Sequence, residues 1–135
     1  MRRRDVIAGL AAATAGVPLS CAGRAETTGL RRIGVLYQGG PYEVSIEGLL
    51  QGFEAAGLVE GRHIALFLHN ERGDAAAAET AARALERDEK VDVIVAIGTT
   101  TARAAKRATV EVPIVFAAGT DPVAVGLVEG IATPG

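Results

Sequence analysis

Between Val91 and Pro122 two apolar runs each empty into a glycine-bearing polar turn: Val93-Ile94-Val95-Ala96-Ile97 into Gly98-Thr99-Thr100-Thr101, and Ile114-Val115-Phe116-Ala117-Ala118 into Gly119-Thr120-Asp121-Pro122. Uninterrupted apolar runs of this length predict strands buried on both faces, and each polar turn predicts the start of a helix. Two strand-then-helix units in series predict parallel pairing, because a helix must carry the chain back before the next strand can begin. Ligands on parallel sheets gather where the carboxyl ends of the strands meet the helix amino termini. The pattern therefore leaves few folds open and directs attention to one end of the sheet.

Residues 1–25 stand apart from this pattern. Arg2-Arg3-Arg4, the apolar stretch Val6 to Leu19 and the small residues Ala22-Gly23-Arg24-Ala25 are the three parts of an export signal, with cleavage expected after Ala25. The apolar stretch holds Gly9, Gly16 and Pro18 and is shorter than the roughly 20 residues of a membrane-spanning helix. Arg3-Arg4-Asp5-Val6-Ile7 partly matches a twin-arginine signal but lacks its Phe and Lys, so ordinary secretion and folded export both stay open. Cys21, the sole cysteine, follows Leu19-Ser20 as in a lipidation site, with Pro18 where an aliphatic residue belongs. Two fates follow for it: loss with the signal, or a lipid anchor. The expected location is periplasmic or otherwise extracytoplasmic, and no disulfide within the chain is available to stabilise the fold.

The signal takes with it four of the 14 basic and one of the 16 acidic residues, which leaves residues 26–135 with a net charge of −5. So acidic a surface is a poor partner for nucleic acid. The length suffices for one core, burying roughly 65% of the surface of the unfolded chain. Arg32 to Tyr37 predicts a first strand, followed by a loop from Gln38 to Val44. Ile46, Leu49, Leu50 and Phe53 fall at i, i+3, i+4 and i+7 on a helix expected to be capped by Ser45 and stopped by Gly57. Arg62 to His69 predicts a second strand. Asp74 to about Glu89 predicts an Ala-rich helix with Asp74 as its cap and a Glu79–Arg83 pair on its surface. Thr100 to about Thr109 predicts the next helix. A final helix is expected from Asp121, with Pro122 in its first turn and a stripe of Ala124, Leu127, Val128 and Ile131. The order (βα)4 with short connections predicts a doubly wound parallel sheet of the Rossmann-like or flavodoxin-like type, strand order 2-1-3-4. In that order the crevice opens between the Gln38-Gly39-Gly40 loop and the Gly98-Thr99-Thr100 turn.

The inventory argues against catalysis. Ser45 is the sole serine after the signal and has no Gly-x-Ser-x-Gly surroundings, and no cysteine remains beside it. His63 and His69 lie about 20 Å apart along one strand, too far to share a metal. No metal, cofactor or catalytic residue is expected. Gly98-Thr99-Thr100-Thr101 has no phosphate-loop spacing, but as a helix start it offers N–H groups and hydroxyls to an anion such as a carboxylate. Capping of its own helix by Thr99 or Thr100 is the competing role, as helix capping is for Asp121. Tyr42, in the first strand-end loop, is an aromatic placed where it could meet a ligand.

Several segments in order carry a resemblance: Arg2-Arg3-Arg4-Asp5-Val6-Ile7, Arg32-Ile33-Gly34-Val35-Leu36, Gln51-Gly52-Phe53 through Ala56-Gly57-Leu58-Val59-Glu60-Gly61, Ala104 to Thr109, Val112-Pro113-Ile114-Val115-Phe116, Asp121-Pro122-Val123 and Gly126-Leu127-Val128. Together they resemble ABC transporter substrate-binding proteins, in the group that includes tryptophan- and tyrosine-binding members. The resemblance implies a two-lobed periplasmic binding protein that closes on a small-molecule ligand and delivers it to ABC permease subunits in the membrane. It implies that residues 26–135 are the amino-terminal lobe, cut before the second, and that Gln38, Gly39, Tyr42, Thr99, Thr100, Thr120 and Asp121 lie on this lobe's half of the cleft. A ligand-binding sensory domain and a truncated fragment without function are the alternative readings.

Overall fold

The computed structural model describes residues 29–133, so the expected export signal, the cleavage point, Cys21 and the closing Pro134-Gly135 lie outside the described residues. The elements are β1 (Arg31–Tyr37), a 3₁₀ turn (Gly40–Tyr42), α1 (Glu43–Ala55), β2 (Ile64–Asn70), α2 (Ala75–Arg87), β3 (Val93–Ile97), α3 (Thr99–Ala108) and β4 (Ile114–Ala117). The four strands form one parallel sheet in the order β2-β1-β3-β4, as the sequence predicts. No helix among the described residues is long and apolar enough to cross a membrane.

Strand alternation divides the core into two layers. On one face Ile33, Val35, Ile64 and Ile97 cluster with Ile46 of α1. On the other, Leu36, Ile94 and Ala96 cluster with Ala81, Ala82 and Leu85 of α2 and with Ala102 and Ala105 of α3. The small residues of α2 and α3 let both helices come close to the sheet. Gly34 marks the tightest approach, since a Cβ there would lie 2.8 Å from a methyl carbon of Leu85, itself fully buried.

Helix ends follow local chemistry. Asp74 caps α2, its Oδ1 accepting from the N–H groups of Ala76 and Ala77 at 2.9 and 3.1 Å. Gly57, at φ +77°, closes α1 with paired bonds from Gly57 N–H to the Glu54 carbonyl and from Leu58 N–H to the Phe53 carbonyl. At the other end of α1 the expectation fails. The 3₁₀ turn runs straight into the helix, which begins at Glu43, so Ser45 is an exposed helical residue and not a cap. Leu50, expected on the buried stripe, is 38% exposed, while Ile46 is buried.

Two further expectations are corrected. β4 is not buried on both faces: it is the edge strand beside β3, and Val115 is 58% exposed. No fourth long helix follows it. Asp121 Oδ1 accepts from Val123 N–H (2.9 Å) and Val125 N–H reaches the Asp121 carbonyl, but Gly126 at φ +74° ends this turn and Leu127 and Val128 bond back to the Pro122 carbonyl. Leu127 is thereby buried, whereas Ile131 is 80% exposed. Lys106 of α3 holds the turn by donating from Nζ to the carbonyls of Gly126 and Leu127 at 2.8 and 3.0 Å.

The connection from α3 to β4 is fixed by one carboxylate. Glu86 Oε1 accepts from the backbone N–H groups of Val110, Glu111 and Val112 at 2.9, 2.8 and 3.1 Å. These bonds favour the charged form, the one to Glu111 most, and hold the Glu86 carboxyl below its ordinary value. Glu86→Ala is expected to cost about 1 kcal/mol in urea unfolding at pH 7, bonds to a charged acceptor being strong but here screened by solvent. Because the folded value is the lower one, the contribution is complete above the unfolded carboxyl range and fades as pH falls below about 4.5. Wild type and variant should therefore converge in acid, and a gap that is constant from pH 7 to pH 3 would contradict the assignment.

Candidate functional site

Parallel pairing brings the carboxyl ends of the strands to one edge of the sheet. Tyr37, the last residue of β1, stands in register with Asn70 of β2 and Ile97 of β3. Bonds continue past the strands, from Glu71 N–H to the Tyr37 carbonyl (2.9 Å) and from Gly98 N–H to the Ala117 carbonyl (2.8 Å). The loops at Gln38–Gly40, Asn70–Gly73, Gly98–Thr100 and Ala118–Asp121 consequently form one surface.

Close backbone approach shapes this surface. Gly39, at φ +77°, lies against Asn70, and a Cβ there would stand 2.6 Å from Asn70 Oδ1. Gly98, at φ +106°, lies against Gln38, where a Cβ would stand 2.8 Å from Gln38 Oε1. Both glycines occupy conformations that side chains rarely adopt and spaces that a side chain would fill.

Gly98 is also the N-cap of α3, and this overturns the expectation that Thr99 or Thr100 caps the helix. Thr99 and Thr100 are its first two residues, and among the described residues no side chain accepts from the first-turn N–H groups. Thr101 turns inward and donates its hydroxyl to the carbonyls of Ile97 and Gly98 at 2.8 and 2.9 Å. The contrast with α2 is chemical. There Asp74 neutralises the helix end with its own carboxylate, whereas α3 presents its first-turn N–H groups without a side-chain partner among the described residues.

Thr99 and Thr120, on separate loops, meet hydroxyl to hydroxyl at 2.9 Å. Thr99 and Thr100 also line a depression of about 140 Å³ with Ala75, Arg103 and Arg107. Arg107 is held by Glu79 at 3.1 Å. Of the other candidates, Asp121 is exposed and uses its carboxylate on its own turn, with no long helix to cap. Tyr42 packs its ring against the α1 face of the core. The geometry thus joins Gln38 to Gly98, Gly39 to Asn70 and Thr99 to Thr120, and sets Tyr42 apart.

Asn70 was not among the sequence candidates. Its Nδ2 donates to Glu43 Oε1 (3.1 Å) and its Oδ1 accepts from Arg72 N–H (3.1 Å), which ties the ends of β2 and α1 together. The order 2-1-3-4 places the end of β2 beside the end of β1, and that was the signal available for it. The histidines have local roles. His63 Nδ1 accepts from Val59 N–H at 3.1 Å, and His69 lies 3.7 Å from Glu71. Among the described residues no group of three or more His, Cys, Asp or Glu is placed to hold a metal ion.

The family model of ABC transporter substrate binding proteins matches residues 32–135, and the chain belongs to this family. A tyrosine-binding protein of Clostridioides difficile (strain R20291) is 36% identical over 89 residues, which are 66% of this chain and 26% of that protein. The chain therefore spans about a quarter of the length of this curated relative. Among solved structures, the ligand-free, open form of a Clostridium difficile substrate binding protein with adhesive properties superposes with a TM-score of 0.70 at 30% identity, covering 76% of this chain and 35% of that one. A Streptococcus pneumonia protein in complex with L-Trp gives a TM-score of 0.73 at 28% identity over 79% of this chain and 36% of its own.

Gly98→Ala is expected to destabilise the chain by about 1–3 kcal/mol, the usual cost of a strained backbone conformation, and to displace Gln38. Urea unfolding with ¹⁵N amide spectra checks this. Unchanged stability with unchanged Gln38 and Thr99 amides would show that the approach is not tight.

Proposed function

We propose that the strand-end surface is one wall of the ligand cleft of an extracytoplasmic solute-binding component of an ABC importer, and that its ligand is an amino acid passed on to membrane permease subunits. The observation that carries this reading is the amino terminus of α3, capped by a glycine and flanked by the Thr99–Thr120 hydroxyl pair. A carboxylate fits such a helix end, which supplies unpaired N–H groups and a favourable dipole. An amino acid supplies the carboxylate, and two relatives, a tyrosine-binding protein and a protein in complex with L-Trp, favour that class. Gln38, Gly39, Thr100, Thr120 and Asp121 complete the proposed wall, and Tyr42 contributes behind it by supporting the first loop.

One wall gives a ligand only part of its contacts, while the entropy lost on binding stays the same. L-tryptophan is therefore expected to bind the 135-residue chain at roughly millimolar concentration, about −4 kcal/mol. Ligand-observed NMR titration measures this. Thr99→Ala with Thr100→Ala should weaken binding by about 1–3 kcal/mol, and tryptamine, which lacks the carboxylate, should fail to bind. Equal affinity for tryptamine, or an unchanged affinity in the double variant, would remove the carboxylate-at-α3 reading. A micromolar affinity would contradict the one-wall reading.

A further inference from the structure

A helix is about 10 Å wide and neighbouring strands lie about 4.8 Å apart, so one helix shields roughly two strands. Among the described residues α1 is the only helix on its face of the sheet, and the edge strand β2 is left partly open there. Ile64 is buried, Leu66 is half-buried, and Leu68, next on the same face, is 43% exposed. Between α1 and β2 runs a groove of about 310 Å³ whose apolar wall includes Leu50, Phe53, Leu58, Val59 and Leu66, with Glu54 and Glu60 also lining it. Val59 is 50% exposed.

Carboxylates flank this groove on its α1 side. Glu43, Glu47, Leu50 and Glu54 recur at i, i+4, i+7 and i+11, a single flank of α1. The hydrogen bond from Asn70 to Glu43 marks that flank as the one turned towards β2. Among the described residues no Lys or Arg lines the groove. We propose that it docks a basic amphipathic helix of a protein partner, laid beside α1 and over β2. Helices pack 8–10 Å apart, and that spacing places the partner on the uncovered strand. Its apolar stripe meets Leu50, Val59 and Leu66, and its Lys or Arg flank meets the carboxylate row. A second copy of this chain is the poorer occupant, because a two-fold contact through this face would set the Glu row of one copy against the same row of the other.

The test titrates the ¹⁵N-labelled full chain with three synthetic helical peptides of about 18 residues. One carries a Leu stripe with Lys flanks, one the same stripe with Glu flanks, and one Lys flanks with Ala in place of Leu. The Leu/Lys peptide alone is expected to shift the amides of Leu50, Phe53, Val59 and Leu66, with a dissociation constant tighter than about 100 μM. Glu54→Lys with Glu60→Lys, and separately Val59→Lys, should each weaken binding at least about tenfold, with cooperative thermal unfolding retained to show that the variants are folded. Four results would overturn the proposal: no binding, equal binding of a control peptide, shifts outside the groove, or binding indifferent to both sets of substitutions. Shifts of the same amides on concentrating the chain alone would assign the face to self-association instead.

Discussion

The structure depends on β1 being paired in parallel on both sides. With β2 on one flank and β3 on the other, both in register at Tyr37, three strands must end together and their following loops must crowd onto one surface. The chain turns to opposite faces of the sheet after β1 and β3, since α1 lies in one apolar layer and α2 and α3 in the other. A crevice is then unavoidable between the loops that leave in opposite directions. Gly39 and Gly98 let those loops close up without side chains in the way, and Gly34 does the same for the sheet and Leu85 beneath them.

Electrostatics distinguishes the helix ends that reach this surface. The Asp74 carboxylate occupies the amino terminus of α2, and that of Asp121 occupies the short turn after β4. Of the two helices that follow directly on β2 and β3, α2 is capped by a carboxylate and α3 by a glycine. Among the described residues no side-chain anion occupies that end, beside two threonine hydroxyls, and the carboxylate proposed above rests on this. The Glu-lined groove between α1 and β2 has the opposite character and the opposite preference.

Much of the fold was legible in the sequence because it is written in periodicity and run length. The apolar runs gave β3 and β4, the spacing of connections gave the strand order, and Asp74 and Gly57 marked real helix ends. The errors have local causes. Ser45 looked like a cap because the 3₁₀ turn at Gly40–Tyr42, which starts α1 three residues early, leaves no apolar periodicity to read. The stripe from Ala124 to Ile131 has helical spacing, but Gly126 takes a positive φ inside it and the chain closes after one turn. β4 read as buried on both faces because composition does not reveal which strand will be at the edge. The loops at the strand ends were legible and the contacts among them were not. The Thr99–Thr120 pair spans 21 residues and exists only once β3 and β4 are aligned, and the Asn70–Glu43 bond likewise requires the sheet and α1 to be in place.

The most direct test of the account is where a ligand touches the chain. ¹⁵N amide shifts on saturation with L-tryptophan should concentrate at Gln38, Gly39, Gly98, Thr99, Thr100 and Thr120, around the end of α3. Shifts confined to the α1–β2 groove, or to the concavity formed by Arg103, Lys106 and Gly126, would contradict the assignment of the strand-end loops as the ligand wall.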